Sequence, residues 1–107
     1  MKLLTKDLEK KLINAIPDCP TNKPWLKLFN PAGSQTWLLS EYNSERKEFF
    51  GLCDLGLGCP ELGYVTLNDL ENIQLPLGLK IERDMYWEPE HTLSEYAVIA
   101  KNVGRIQ

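Results

Sequence analysis

Apolar positions recur along this chain with two different periods, and the changes of period mark its elements. Leu8, Leu12, Ala15 and Ile16 stand at i, i+4, i+7 and i+8, the spacing of one helical face. Thr5 precedes them as an N-cap whose hydroxyl can accept from a free amide of the opening turn. Asp7 suits the positive end of the helix dipole. Pro17 stops this helix near Ala15. Residues 17–24 hold Pro17, Pro20 and Pro24 and read as a loop.

The period then shortens to that of strands. Residues 25–30 are short and rich in apolar and aromatic side chains, and the Pro-Ala-Gly-Ser run after Asn30 has turn chemistry, so a hairpin to a strand over 36–42 is expected. A polar turn at 43–46 leads to a third strand over 48–55, with Phe49, Cys53 and Leu55 on one face and Phe50 and Leu52 on the other. Three glycines and Pro60 between positions 56 and 63 demand a tightly turned backbone. Residues 62–65 form a fourth strand.

Helical spacing returns with Leu67, Leu70 and Ile73, behind Thr66 and Asp69 as a modified capping box. Residues 76–79 break that helix. Lys80 to Asp84 is a charged stretch, and Met85 to Trp87 is expected as a short edge strand before Pro89. Thr92 and Glu95 form a full T-x-x-E box, followed by Leu93, Tyr96, Ala97, Ala100 and Val103 on one helical face and Gly104 as the stop. The pattern predicts an α+β domain spanning residues 1–107: a small, mostly antiparallel sheet of about four strands, with an N-terminal helix, a short middle helix and a C-terminal helix packed on a sheet face.

Length and composition agree with one core. The 107 residues are 43% apolar and include three Trp, four Tyr and three Phe, too short for two domains and too apolar for disorder. No window approaches the ~18 apolar residues of a membrane span. The opening Met-Lys-Leu-Leu-Thr-Lys-Asp has no apolar run of a secretory leader, and three cysteines are too few and odd for a disulfide scaffold. A cytoplasmic protein without a membrane partner is expected.

Charge is uneven. The net value is -3, but residues 41–95 carry twelve carboxylates against Arg46, Lys47, Lys80 and Arg83, while residues 1–40 are net +3. An acidic middle disfavours nucleic acid, which asks for clustered Lys and Arg. Direct nucleic-acid binding would need Lys6, Lys10, Lys11, Lys23 and Lys27 to gather on one face. The acidic region suits a basic partner surface, or simply keeps a small domain soluble.

Candidate chemistry is sparse. Cys19, Cys53, Cys59 and His91 could in principle hold zinc, but no two are separated by the two to four residues typical of structural sites, and buried thiols explain the cysteines as well. The glycines from Gly51 to Gly63 fit neither a P-loop nor a dinucleotide fingerprint. Glu82, Arg83 and Asp84 are the most suggestive cluster: in an extended chain the two carboxylates share one face. With Asp54, Glu61 and Tyr86 nearby they could do acid–base work or hold a cation, or Arg83 could pin the loop by forking onto a carboxylate. His91 is the sole histidine, and no nucleophile elbow occurs. Trp25, Phe29, Trp37, Tyr42, Phe49 and Phe50 fall in strands and read as core rather than a stacking platform.

Two blocks carry a resemblance. The segment Phe50-Gly-Leu-Cys-Asp-Leu-Gly-Leu-Gly-Cys-Pro-Glu-Leu-Gly-Tyr-Val-Thr-Leu67 and the segment Pro76-Leu-Gly-Leu-Lys-Ile-Glu-Arg-Asp-Met-Tyr-Trp87 resemble the signatures of an uncharacterised bacterial family, domain of unknown function 2958. The N-terminal residues and Leu93-Ser-Glu-Tyr-Ala97 resemble its ends, and Trp87 stands where many members carry Phe. The resemblance implies a small bacterial cytoplasmic protein, often carried on plasmids and other mobile elements, with no activity or cofactor attached to the family. Gly51, Asp54, Glu61, Gly63, Glu82, Arg83, Asp84 and Tyr86 become the candidate motif residues. The leading expectation is a non-enzymatic accessory module that binds a protein partner, such as a host defence component. The alternative is a small enzyme or metal-dependent domain using Asp54, Glu61, Glu82 and Asp84. No cofactor is expected, and the oligomeric state is open.

Overall fold

The computed structural model describes residues 2–17, 19 and 21–106. Asp18 and Pro20, part of the loop expected over 17–24, lie outside the described residues. The first helix, α1 (Lys6–Ile13), begins where Thr5 predicts, with the Leu8 amide donating to the Thr5 hydroxyl. It stops at Ile13, two residues sooner than the apolar spacing suggested. Leu12 is buried, but Ile16 lies past the helix and is largely exposed.

Four strands form an antiparallel meander: β1 (Leu26–Phe29), β2 (Thr36–Asn43), β3 (Glu48–Asp54) and β4 (Glu61–Thr66). Each turn is organised by a polar side chain. Asn30 Oδ1 accepts from the Ala32 amide, and Asn43 Oδ1 accepts from the Glu45 and Arg46 amides, the local bonding that makes Asn a turn residue. Between β3 and β4, Gly56 and Gly58 take positive φ of 80° and 83°.

A bulge in β2 sets which side chains reach the core. The register with β3 slips between Leu39 and Glu41, so Ser40 is the extra residue. Trp37 and Leu39 face one side; after the bulge that side receives Tyr42 rather than Glu41. Tyr42 then meets Phe49 with ring centroids 4.7 Å apart. Gly51 sits opposite Leu39, where a Cβ would stand 2.1 Å from the Leu38 carbonyl oxygen and 2.7 Å from Leu39 Cα. Only glycine allows the strands to close here.

A second helix, α2 (Leu67–Glu71), is capped by the Thr66 hydroxyl, which accepts from the Asp69 amide as the sequence predicts. After a 3-10 turn at Pro76–Gly78, a fifth strand appears: β5 (Glu82–Arg83), antiparallel to β1. The sheet order is β4-β3-β2-β1-β5, so the sheet has five strands rather than about four. The strand expected at 85–87 is replaced by a turn at 85–86, and the pairing falls three to four residues earlier, at Glu82–Arg83. The terminal helix α3 (Leu93–Val103) carries the full Thr92–Glu95 capping box and ends at Gly104 with φ 89°.

The sheet has a core on each side. Leu12 of α1 and Leu70 of α2 pack with Leu26, Leu28, Trp37, Leu39 and Phe49 on one face. Leu93 and Ala100 of α3 pack with Leu38 and Leu52 on the other. The result is an open antiparallel sheet covered on both faces, the α+β class predicted. No described helix is long and apolar enough to cross a membrane.

Candidate functional site

The segment joining β5 to α3 builds an aromatic and acidic concavity. The Asp84 amide donates to the Lys27 carbonyl at 3.0 Å, one step beyond the β1–β5 pairing. The Asp84 carboxylate then accepts from the Tyr86 amide at 3.0 Å, and its carbonyl accepts from the Trp87 amide. This side-chain turn reverses the chain. It throws Tyr86 into solvent, 91% exposed, and swings Trp87 back under α3.

Both aromatic walls are held by hydrogen bonds. The Trp87 indole N–H donates to the Pro24 carbonyl at 2.8 Å. The Tyr96 hydroxyl accepts from the Glu90 amide at 3.0 Å. The two rings lie 5.5 Å apart, and His91 meets Tyr96 edge-on at 5.1 Å. Lys27 places its ammonium 4.9 Å from the Trp87 ring centroid, a cation–π contact within the protein itself.

Beside these packed rings lies an open cleft of about 540 Å³. Asp84, Glu88 and Glu90 line it together with Ile99 and Ile106, and among the described residues no Lys or Arg does. These carboxylates outnumber the nearby Lys27 ammonium, so the cleft leans to negative potential. The arrangement is suited to holding a cationic side chain.

The motif residues read from the sequence are scattered by the fold. Gly51 is required by the close strand approach, whereas Gly63, its neighbour across β3 and β4, has nothing within 4 Å of a Cβ. Asp54 is buried and accepts from the Gly56 and Ile106 amides, both at 2.9 Å. Glu61 begins β4 and Glu82 begins β5. These are opposite edges of the sheet, four strand spacings or about 19 Å apart. Asp54, Glu61, Glu82 and Asp84 therefore do not converge. The Arg83 guanidinium donates to the Lys2 carbonyl, tying the N-terminal segment to β5. Of the sequence-derived set, Asp84 and Tyr86 reach the cleft, with His91 from the cysteine–histidine group.

The cysteines also lie in different settings. Cys53 packs against the α1–α2 core, and burial pushes its thiol up to about 11. Cys19 is in the loop after α1, its Sγ 3.0 Å from the Thr21 hydroxyl, a contact that lowers its pKa. Cys59 is exposed in the turn before β4. Among the described residues no three His, Cys, Asp or Glu side chains cluster as a metal site.

Trp87, Glu88, Glu90 and Tyr96 were missed as site residues. Trp87 read as a strand position and Tyr96 as core. The usable signal was the density of acidic and aromatic residues over 84–90 immediately before a capping box.

The sequence profile described as Protein of unknown function (DUF2958) matches residues 3–107. The chain belongs to this family. The resemblance carried by the two signature blocks is thus confirmed over nearly the whole length. No curated protein and no solved structure matches the chain significantly. In DUF2958 terms, the second block spans the 3-10 turn, β5 and the Asp84 turn, and so ends in the wall of the cleft.

Proposed function

We propose that this DUF2958 protein is a non-enzymatic interaction module that binds a Lys- or Arg-rich segment of a protein partner in the cleft between residues 84–91 and α3. The observation that carries this reading is the cleft's composition: three carboxylate residues, two hydrogen-bonded aromatic rings, and no Lys or Arg among its described lining residues. The carboxylates steer a basic segment and speed its encounter. The Trp87 and Tyr96 rings supply contact area and cation–π attraction worth about 0.5–2 kcal/mol per seated cation. Aromatic residues fixed in place lose little entropy on binding. The family's company on mobile elements makes a cytoplasmic host factor, such as a defence component, the partner class proposed.

The test is an NMR titration of the labelled protein with an oligo-arginine peptide, with an oligo-glutamate peptide as control. The expected shifts centre on the Trp87 indole, the amides of 84–91 and the first two turns of α3, and weaken with added salt. The double variant Glu88→Lys, Glu90→Lys should abolish them. Shifts centred elsewhere, or none at all, would overturn the reading.

A further inference from the structure

The two edges of the sheet are built differently. β5 has only two residues, the Asp84 turn ends it, and Arg83 ties the N-terminal segment across it. β4 runs six residues in unbroken register with β3, and no described strand lies beyond it. It contains no Lys, Arg or Pro and no bulge, which are the usual devices that stop strand addition. Its only charge is Glu61, at the very start.

Apolar side chains gather at the same edge. Leu62 and Tyr64 are 49% and 60% exposed, and Leu55 and Leu57 in the adjoining turn are 53% and 79% exposed. Leu62 and Tyr64 stand opposite Leu52 and Phe50, so both project on the α3 side. On the other side Gly63 leaves open space.

We infer that β4 is a self-pairing edge through which two copies of the chain join antiparallel into one continuous sheet. The strand is complementary to itself. With Gly63 opposite Gly63 of the second copy, Leu62 meets Tyr64 in both halves and Glu61 meets Val65, so no like charges oppose. Aromatic–aliphatic cross-strand pairs of this kind stabilise a sheet. The shared ladder supplies partners to the outward backbone groups of β4. A strand with one terminal charge offers nothing to select a charged foreign segment, so a second copy is the better occupant. A single six-residue ladder is small beside the 1,200–2,000 Å² or so of a standard complex, the size class of weak, reversible association. This inference is independent of the cleft.

Sedimentation equilibrium of the full chain over a wide concentration range, paired with hydrogen exchange, tests it. The expected result is a reversible monomer–dimer equilibrium with amide protection over 61–66 that rises with concentration. Leu62→Lys, at a half-exposed position, should raise the dissociation constant at least about tenfold with an unchanged far-UV circular dichroism spectrum. Leu62→Lys combined with Tyr64→Lys should leave only monomer. A wild-type chain that stays monomeric to millimolar concentration would overturn the inference. So would a dimer that survives both substitutions, or protection of 61–66 that appears only with another protein's strand.

Discussion

Asp54 and Ile106, fifty-two positions apart in sequence, are joined by a hydrogen bond of 2.9 Å from the Ile106 amide to Asp54 Oδ2. The other carboxylate oxygen accepts from the Gly56 amide at the same distance. One buried side chain thus holds both the turn that follows β3 and the segment that follows α3. Asp54→Ala strands two amide donors, each costing about 1–3 kcal/mol if left unsatisfied. The expected result is a large fall in the urea midpoint, with Asp54→Asn less damaging because one acceptor remains.

Gly51 and Gly63 face each other across β3 and β4 and offer a controlled comparison. Gly51→Ala drives a methyl into the Leu38 carbonyl and Leu39 Cα, and should cost about 3 kcal/mol or more. Gly63→Ala meets open space and should be neutral or stabilising by up to about 1 kcal/mol, through a less flexible unfolded chain. Equal effects in thermal melts would contradict the bulge geometry.

The capping box makes part of the stability dependent on pH. The Thr92 backbone amide, donating at 3.0 Å, is the chief cause that holds the Glu95 carboxyl below its ordinary value, with the Thr92 side chain next. A carboxylate depressed in the folded state stabilises above its unfolded pKa of about 4.3, and that contribution disappears as pH falls through the folded value. The urea midpoint should therefore fall on acidification below about pH 5, and Glu95→Gln should flatten that limb. Thr92→Ala removes the helix cap itself, at about 1 kcal/mol near neutral pH.

Thiol labelling should separate the cysteines. Burial holds Cys53 near 11, while hydrogen bonding with Thr21 lowers Cys19, and Cys59 is exposed. Since the thiolate is the nucleophile, Cys53 should react at least ~100-fold more slowly than Cys19. Peptide mapping after a brief maleimide pulse reads the order directly, and early labelling of Cys53 would contradict its packing.

What the sequence revealed follows the range of the interactions responsible. Thr5, Thr66, and Thr92 with Glu95 act within one helical turn, so their helices could be read from local spacing. The hairpin turns were legible because Asn30 and Asn43 bond to their own neighbours. β5 was not, because two residues become a strand only by lying along β1. The Asp84 side chain captures the Tyr86 amide and turns the chain where strand propensity pointed to 85–87. The bulge at Ser40 escaped for the same reason, since it exists only in the pairing of β2 with β3. The cleft needs Trp87 and Tyr96 to meet, and a strand-like residue and a helical core residue give no sign of that in isolation.

The two cores on opposite faces of the sheet are unequal. Among the described residues, the α3 side rests on four buried side chains, Leu38, Leu52, Leu93 and Ala100, against eleven on the other. Layers secured by fewer buried side chains open at lower free energy than the whole molecule. α3 is thus the layer expected to open before β2 and β3 separate, which faster amide exchange in α3 than in those strands would check. Because Tyr96 and Ile99 of the same helix line the cleft, such an opening would change the shape of the site. A ligand that grips both walls stiffens that layer, so slowed amide exchange in α3, with β2 and β3 unchanged, reports occupancy of the cleft from within the protein's own backbone.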